Sequence, residues 1–151
     1  MKYHLVLARK IDLDGIDRDA PLGKCPRHVL QALRDRLNAT VHAPDGEAIS
    51  LSDKLRGKIY SKPEHWATAR KLSEQVSSGD VIFCTGEDIG IQVAAVCGES
   101  SARPKIVVYF HDITRLRNPV LLKLFGLADK IDLFMVNAHP QTVPPQRFSY
   151  T

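Results

Sequence analysis

The 151-residue chain is 44% hydrophobic and 25% charged, with a formal net charge of +4, values that fit one globular domain with a real core. No apolar run nears the roughly 20 residues that span a bilayer, "MKYHLVLARK" has too short an apolar stretch and no small-residue cleavage site for a secretory leader, and no basic block with interleaved aromatics, zinc-finger or RNP-type signature points to nucleic acid. The mild positive charge suits an anionic ligand, a nucleotide sugar or an acidic lipid surface.

"YHLVLA" (3–8) reads as a buried strand and "RKIDLDGIDRDAPLGKC" (9–25) as a polar loop. Pro26 stands where a first-turn proline belongs. Val29, Leu33 and Leu37 recur at i, i+4 and i+8, so "PRHVLQALRDRLN" is predicted as an amphipathic helix. "ATVHA" (39–43) is a short second strand. In "ISLSDKLRGKIYS" (49–61) the pattern suggests a helix over 52–56 and a strand over 58–60. Ser61-Lys62-Pro63-Glu64 has the Ser-x-x-Glu form of a capping box; Trp66, Ala69, Leu72 and Val76 then share one face of a helix closed by Gly79. "DVIFCT" (80–85) is a strand. "EDIGIQVAAVCGES" (87–100) is a helix with Ile89, Val93, Val96 and Cys97 inward, its alanines suited to close packing on a sheet. "PKIVVYF" (104–110) is a strand, "NPVLLKLFG" (118–126) a helix with an Asn cap, Pro first and Gly126 as terminator, and "IDLFMVN" (131–137) the last strand, before a tail with three prolines.

Apolar strands that alternate with helices predict a parallel sheet covered on both faces. Right-handed crossovers make it a single Rossmann-like, doubly wound α/β domain. The chain stops just after a strand, where the pattern asks for another helix, so it is expected to be part of something larger.

The first strand is followed by no G-x-G-x-x-G and no G-x-x-x-x-G-K-[ST], "FCTGE" is not a nucleophile elbow, and Thr85 and Asn137 stand where a receiver domain would want Asp and Lys. Ligands of open α/β sheets bind at the carboxyl ends of the strands. The groups gathered there are Gly23 and Lys24, Thr85-Gly86-Glu87, His111-Asp112, and Asn137. Gly23 precedes the first predicted helix, where its backbone can approach a phosphate, or it is a plain loop glycine. Thr85-Gly86-Glu87 lines a pocket, or is a strand-to-helix turn with Glu87 and Asp88 set for the helix dipole. His111 directly follows a buried strand and offers a neutral imidazole near pH 7; the alternative is a loop histidine bonded to backbone. His4, His28, His42, His65 and His139 are scattered, no pair has metal-ligand spacing, and no metal or other cofactor is expected. Cys25, Cys84 and Cys97 lack metal or redox spacing and read as reduced thiols of a cytoplasmic protein.

"KIVVYFHDITRLRNP", then a helix, then "ADKIDLFMVNAHPQ", resembles the amino-terminal domain of GT-B glycosyltransferases, in particular the large retaining family called group 1 (GT4). The resemblance covers nearly the whole chain and is most specific at His111-Asp112. It implies two Rossmann-like domains facing a cleft, the first binding mainly a glycan or lipid acceptor, the second the nucleotide-sugar donor. It also implies that His111 faces the cleft and touches the transferred sugar, and that Gly23 lies near the donor diphosphate. The loop "PLGKC" has one glycine where the family often has two, and the family's paired acidic motif of the donor domain is absent from these residues.

The leading expectation is therefore the acceptor-side domain of a retaining glycosyltransferase, completed by a donor-binding domain or subunit in cis or in trans and inactive alone. The alternative is a non-catalytic Rossmann-like module binding a small anionic ligand or a partner protein. Arg115, Arg117, Lys123 and Lys130 around "VLLKLFGL" form either a basic, partly apolar surface for an anionic membrane or acceptor, or the solvated side of a core-facing helix.

Overall fold

The computed structural model describes residues 1–111 and 117–136. In chain order its elements are β1 (Tyr3–Val6), α1 (Leu13–Asp19), α2 (Val29–Leu37), β2 (Thr40–His42), α3 (Leu51–Ile59), α4 (Pro63–Ser73), β3 (Val81–Cys84), α5 (Glu87–Cys97), β4 (Lys105–Phe110), α6 (Arg117–Leu124) and β5 (Leu133–Val136). The five strands form one parallel sheet in the order β2-β1-β3-β4-β5, the Rossmann-like α/β class predicted from the alternation of elements.

The strand order steps one way from β1 to β2 and the other way from β2 through β5. Right-handed crossovers then carry α1 and α2 to one face and α3 to α6 to the other. Alternation along the strands agrees. Val6, Ile82, Cys84, Ile106, Val108 and Phe110 join Trp66, Leu72, Ile89 and Leu127 in one core cluster. On the opposite face Leu5 and Leu7 are buried, whereas Leu133 and Met135 are 52% and 39% exposed. Full cover on both faces was expected; among the described residues no helix lies on the second face over β5, because every crossover after β2 turns to the other side.

Two buried carboxylates brace the domain, Asp80 at the amino-terminal ends of the strands and Asp53 between α3 and α4. Asp80 accepts the Lys2 N–H at 2.8 Å and both the N–H and hydroxyl of Ser77, at 2.9 and 2.8 Å. These bonds, the Lys2 N–H foremost, hold its pKa at about 2. Asp53 closes a capping box with Ser50 at the start of α3 and meets the Arg70 guanidinium at 3.0 Å.

Several local expectations are corrected. The loop read over 9–25 contains α1, whose start is capped by the Asp12 side chain on Gly15 N–H. Pro26 lies outside α2, which begins at Val29 with His28 as its cap. Residues 58–60 are no strand: α3 runs to Ile59, and only its cap Tyr60 is extended. Pro63 fixes the first turn of α4, so the cap is Lys62, without a side-chain bond, and Ser61 is freed from the predicted capping box. That helix ends at Ser73, well before Gly79.

The prediction that α5 packs closely on the sheet holds, and Gly90 makes it possible. A Cβ there would stand 3.0 Å from Val108 Cγ2 and nearer still to Cγ1. Alanine adds about 1 kcal/mol of helix propensity over glycine, but overpacking a core costs about 1–3 kcal/mol. Gly90→Ala is therefore expected to lower stability by up to about 2 kcal/mol, read as a lower urea midpoint with an unchanged slope; a raised midpoint would contradict this packing.

Candidate functional site

The strand order reverses between β1 and β3, so the crevice outside their carboxyl ends is the topological switch point, the usual ligand position in such sheets. Its floor is tied across the two strands. The Thr85 N–H and hydroxyl both donate to the Val6 carbonyl, at 3.0 and 3.2 Å. His65, buried on α4, reaches the Ala8 carbonyl through Nε2 at 2.9 Å. Nδ1 faces the Ser61 hydroxyl at 2.7 Å and the Asp88 carbonyl at 2.8 Å. One imidazole thereby joins the end of β1, the start of α4 and the first turn of α5. Ser61 takes part only because its backbone is left-handed, with φ at 66°.

His111 follows β4 directly and rises beside this floor. Its N–H donates to the buried Glu87 carboxylate at 3.0 Å. Its ring lies over Gly86, the residue before α5: a Cβ on Gly86 would sit 3.4 Å from His111 Nε2. The Tyr109 ring meets the imidazole edge-on, with centroids 4.9 Å apart. The backbone of His111 is thus fastened, while the residue is exposed and its ring nitrogens have no hydrogen-bond partner among the described residues. An oriented, solvent-facing imidazole at a strand end can position a polar ligand without surrendering a bond to the protein.

The structure brings Thr85, Gly86, Glu87 and His111 together, as the sequence suggested. Glu87 does more than favour the helix dipole, since it is the acceptor for the His111 backbone. Gly23 is placed differently from expectation. It follows α1 in a left-handed turn, with φ at 71° and its N–H on the Ala20 carbonyl, and Lys24 lies 3.7 Å from the Asp19 carboxylate. The helix that follows β1 starts with the carboxylate of Asp12, not with a glycine loop. Asp112 and Asn137 lie outside the described residues. His65 was passed over as one of several scattered histidines. Its signal was the i, i+4 pairing with Ser61 just before a Pro-initiated helix.

A separate cleft, about 900 Å3, opens at the carboxyl ends of β1 and β2, and none of Thr85, Gly86, Glu87 and His111 lines it. Most of its charges are matched in pairs: Lys10 with Asp45 at 2.8 Å, Lys71 with Glu47 at 3.5 Å, and Arg34 with Asp14 at 2.9 Å, while Asp12 is engaged in capping α1. The switch-point crevice is the better candidate site because it holds an unpaired, oriented functional group.

His42 lines that cleft and touches His4 on the neighbouring strand, Nε2 to Nδ1 at 3.0 Å. Burial, then the adjacent His4 and Lys71, pushes the His42 pKa down to about 4. His4 is also lowered by burial, with Asp80 opposing. Groups with folded pKa values below their unfolded ones contribute stability that is complete above about pH 6.5 and declines as pH falls toward 4, because the unfolded chain binds the protons first. The melting temperature is therefore expected to drop over that window, and His42→Gln to flatten the drop. The Asp80 carboxylate titrates lower, near 2, so a wild-type profile flat between pH 6.5 and 4 would contradict the histidine assignment.

Among the described residues no group of three His, Cys, Asp or Glu side chains is placed to hold a metal ion. Cys84 and Cys97 are buried, and burial raises both thiols, Cys97 to about 12, so neither is a nucleophile at neutral pH. No helix among the described residues is long and apolar enough to cross a membrane. The fold and site define an open α/β domain with one exposed, backbone-anchored histidine at its switch-point edge. No protein-family model, no curated protein and no solved structure matches the chain.

Proposed function

We propose that the chain is the acceptor-side domain of a retaining glycosyltransferase and that His111 orients the sugar being transferred. The observation that carries this is the fastening of His111: its N–H is held by buried Glu87, its ring lies over Gly86, and among the described residues its ring nitrogens have no partner. In a retaining transfer, charge develops at the anomeric carbon and on the leaving diphosphate. A fixed imidazole within reach of the sugar hydroxyls contributes orientation and electrostatics. It is not assigned as a base. Gly86 gives the donor sugar room that any side chain would take. Thr85 and His65 hold the floor, and a donor-binding domain, in cis or in trans, supplies the second wall and the nucleotide-sugar contacts. A peripheral position on an anionic membrane would suit a lipid acceptor and the positive charge of the chain.

The test is transfer from a panel of radiolabelled nucleotide sugars to mixed glycan and lipid acceptors, with the chain mixed with or fused to a group 1 donor-binding domain. Turnover that requires both halves is the expected result. A second reading, a non-catalytic module that binds a small polar ligand, is favoured by the 900 Å3 cleft beside β2. It predicts ligand binding that Lys10→Ala or Lys71→Ala weakens and that His111→Ala leaves alone, with no turnover in any combination.

A further inference from the structure

On α3 the usual arrangement of an amphipathic surface helix is reversed. Leu51, Leu55 and Ile59, at i, i+4 and i+8, are 84%, 65% and 56% exposed. At 3.6 residues per turn they fall within about 80° of arc. The side that meets the body carries Asp53, buried against Arg70, and Gly57, where a Cβ would press within 2.8 Å of Pro63. These lie roughly opposite the leucines on the same helical count. The capping box at Ser50 and the close Gly57–Pro63 contact hold the helix in this orientation, so the apolar stripe is presented outward by construction.

The stripe is flanked by cations. Lys54 and Lys58 border it, Lys62 follows the helix, and Arg56 lies on the other side with its guanidinium 5.3 Å from the Trp66 ring centroid. None of the three lysines has a carboxylate within ion-pair distance among the described residues. The one acid of the helix, Asp53, is turned inward. The outward surface thus has three large aliphatic side chains, four cations and no anion.

We propose that α3 is a peripheral membrane anchor that lies in the headgroup region of an anionic phospholipid bilayer, with Leu51, Leu55 and Ile59 at the acyl boundary and Lys54, Lys58 and Lys62 on lipid phosphates. The charge pattern matches an anionic surface. A row of aliphatic side chains flanked by snorkelling lysines is the form of an interfacial helix. A protein partner fits less well: the stripe is a single helix side wide and holds no aromatic residue of the kind that anchors protein interfaces. The surface is separate from the site at His111 and does not depend on what that site does. It also differs from the α6 segment considered for membrane contact, whose Leu121 and Leu127 face the core.

The experiment is sedimentation of the full chain with vesicles of phosphatidylcholine alone or of phosphatidylcholine and phosphatidylglycerol (about 7:3), at about 0.05 and 0.5 M salt. Binding is expected only with phosphatidylglycerol and to weaken at high salt. Lys54→Gln, Lys58→Gln and Lys62→Gln together are expected to weaken it about 100-fold. Leu51→Ser, Leu55→Ser and Ile59→Ser together are expected to weaken it at least about tenfold. All six positions point away from the core, and near-ultraviolet circular dichroism of buried Trp66 confirms the fold of each variant. In Leu55→Trp, the new indole should shift to the blue on vesicles and be quenched by brominated lipid. Absent binding, binding unchanged in both triple variants, or an unshifted indole would overturn the proposal. So would self-association, or a stable complex with an acidic protein segment, that the same substitutions abolish while vesicles are ignored.

Discussion

Replacing His111 by alanine should reduce transfer by the completed enzyme about 100-fold or more while leaving the domain nearly as stable as before. Removing one preorganised hydrogen-bonding group from a reacting centre typically costs a factor of 10²–10³. The stability cost is small because the residue is exposed, its ring touches Tyr109 edge-on, and it gives up no hydrogen bond to the described residues. That contact is worth about 0.5–1.5 kcal/mol, and the bond from the backbone N–H to Glu87 survives the substitution. Turnover and melting temperature measured on the same preparations separate the two roles. Unchanged turnover would remove His111 from the site. A collapse of stability with unchanged specific activity would make it a structural residue.

His65 should behave in the opposite way. His65→Ala is expected to destabilise the domain by about 2–5 kcal/mol, the cost of a core truncation together with the loss of the ring's bonds to the Ala8 carbonyl and the Ser61 hydroxyl. Against a total stability of about 5–15 kcal/mol, that is a large share of the fold. The loss should appear in equilibrium unfolding, with hydrogen exchange rising first at the ends of β1 and α5. A variant within about 0.5 kcal/mol of wild type would show that the three-way junction is not what holds the crevice together.

The architecture was legible because its signals are repeated and local. Runs such as "DVIFC" and "KIVVYF" carry no polar interior, and the alanines of α5 forecast its contact with the sheet, completed by Gly90 against Val108. What was missed depends on context. The start of α1 was hidden by Gly15 and a density of aspartates, although Asp12 is an ordinary helix cap. Ser61 matched a capping box by spacing, but Pro63 set the helix start and sent the hydroxyl to His65 instead. Nothing in the period of "LSDKLRGKI" says which side of the helix faces water; the buried Asp53–Arg70 pair, the Ser50 capping box and the Gly57–Pro63 contact together turn its aliphatic side outward. At the site, Gly86, Glu87 and His111 were each visible as strand-end residues, but the bond between Glu87 and the His111 backbone spans 24 positions and belongs to the tertiary fold.

In the proposed function these residues form one wall of a two-walled transfer site. The decisive assay sets the chain alone beside the chain mixed with a donor-binding domain, over the same nucleotide sugars and acceptors. No transfer is expected from the chain alone, because half a cleft neither holds the near-attack geometry nor excludes water, and transfer in the mixture should be sensitive to His111→Ala. Robust turnover by the chain alone, or turnover in the mixture indifferent to His111, would show the two-walled site to be wrong.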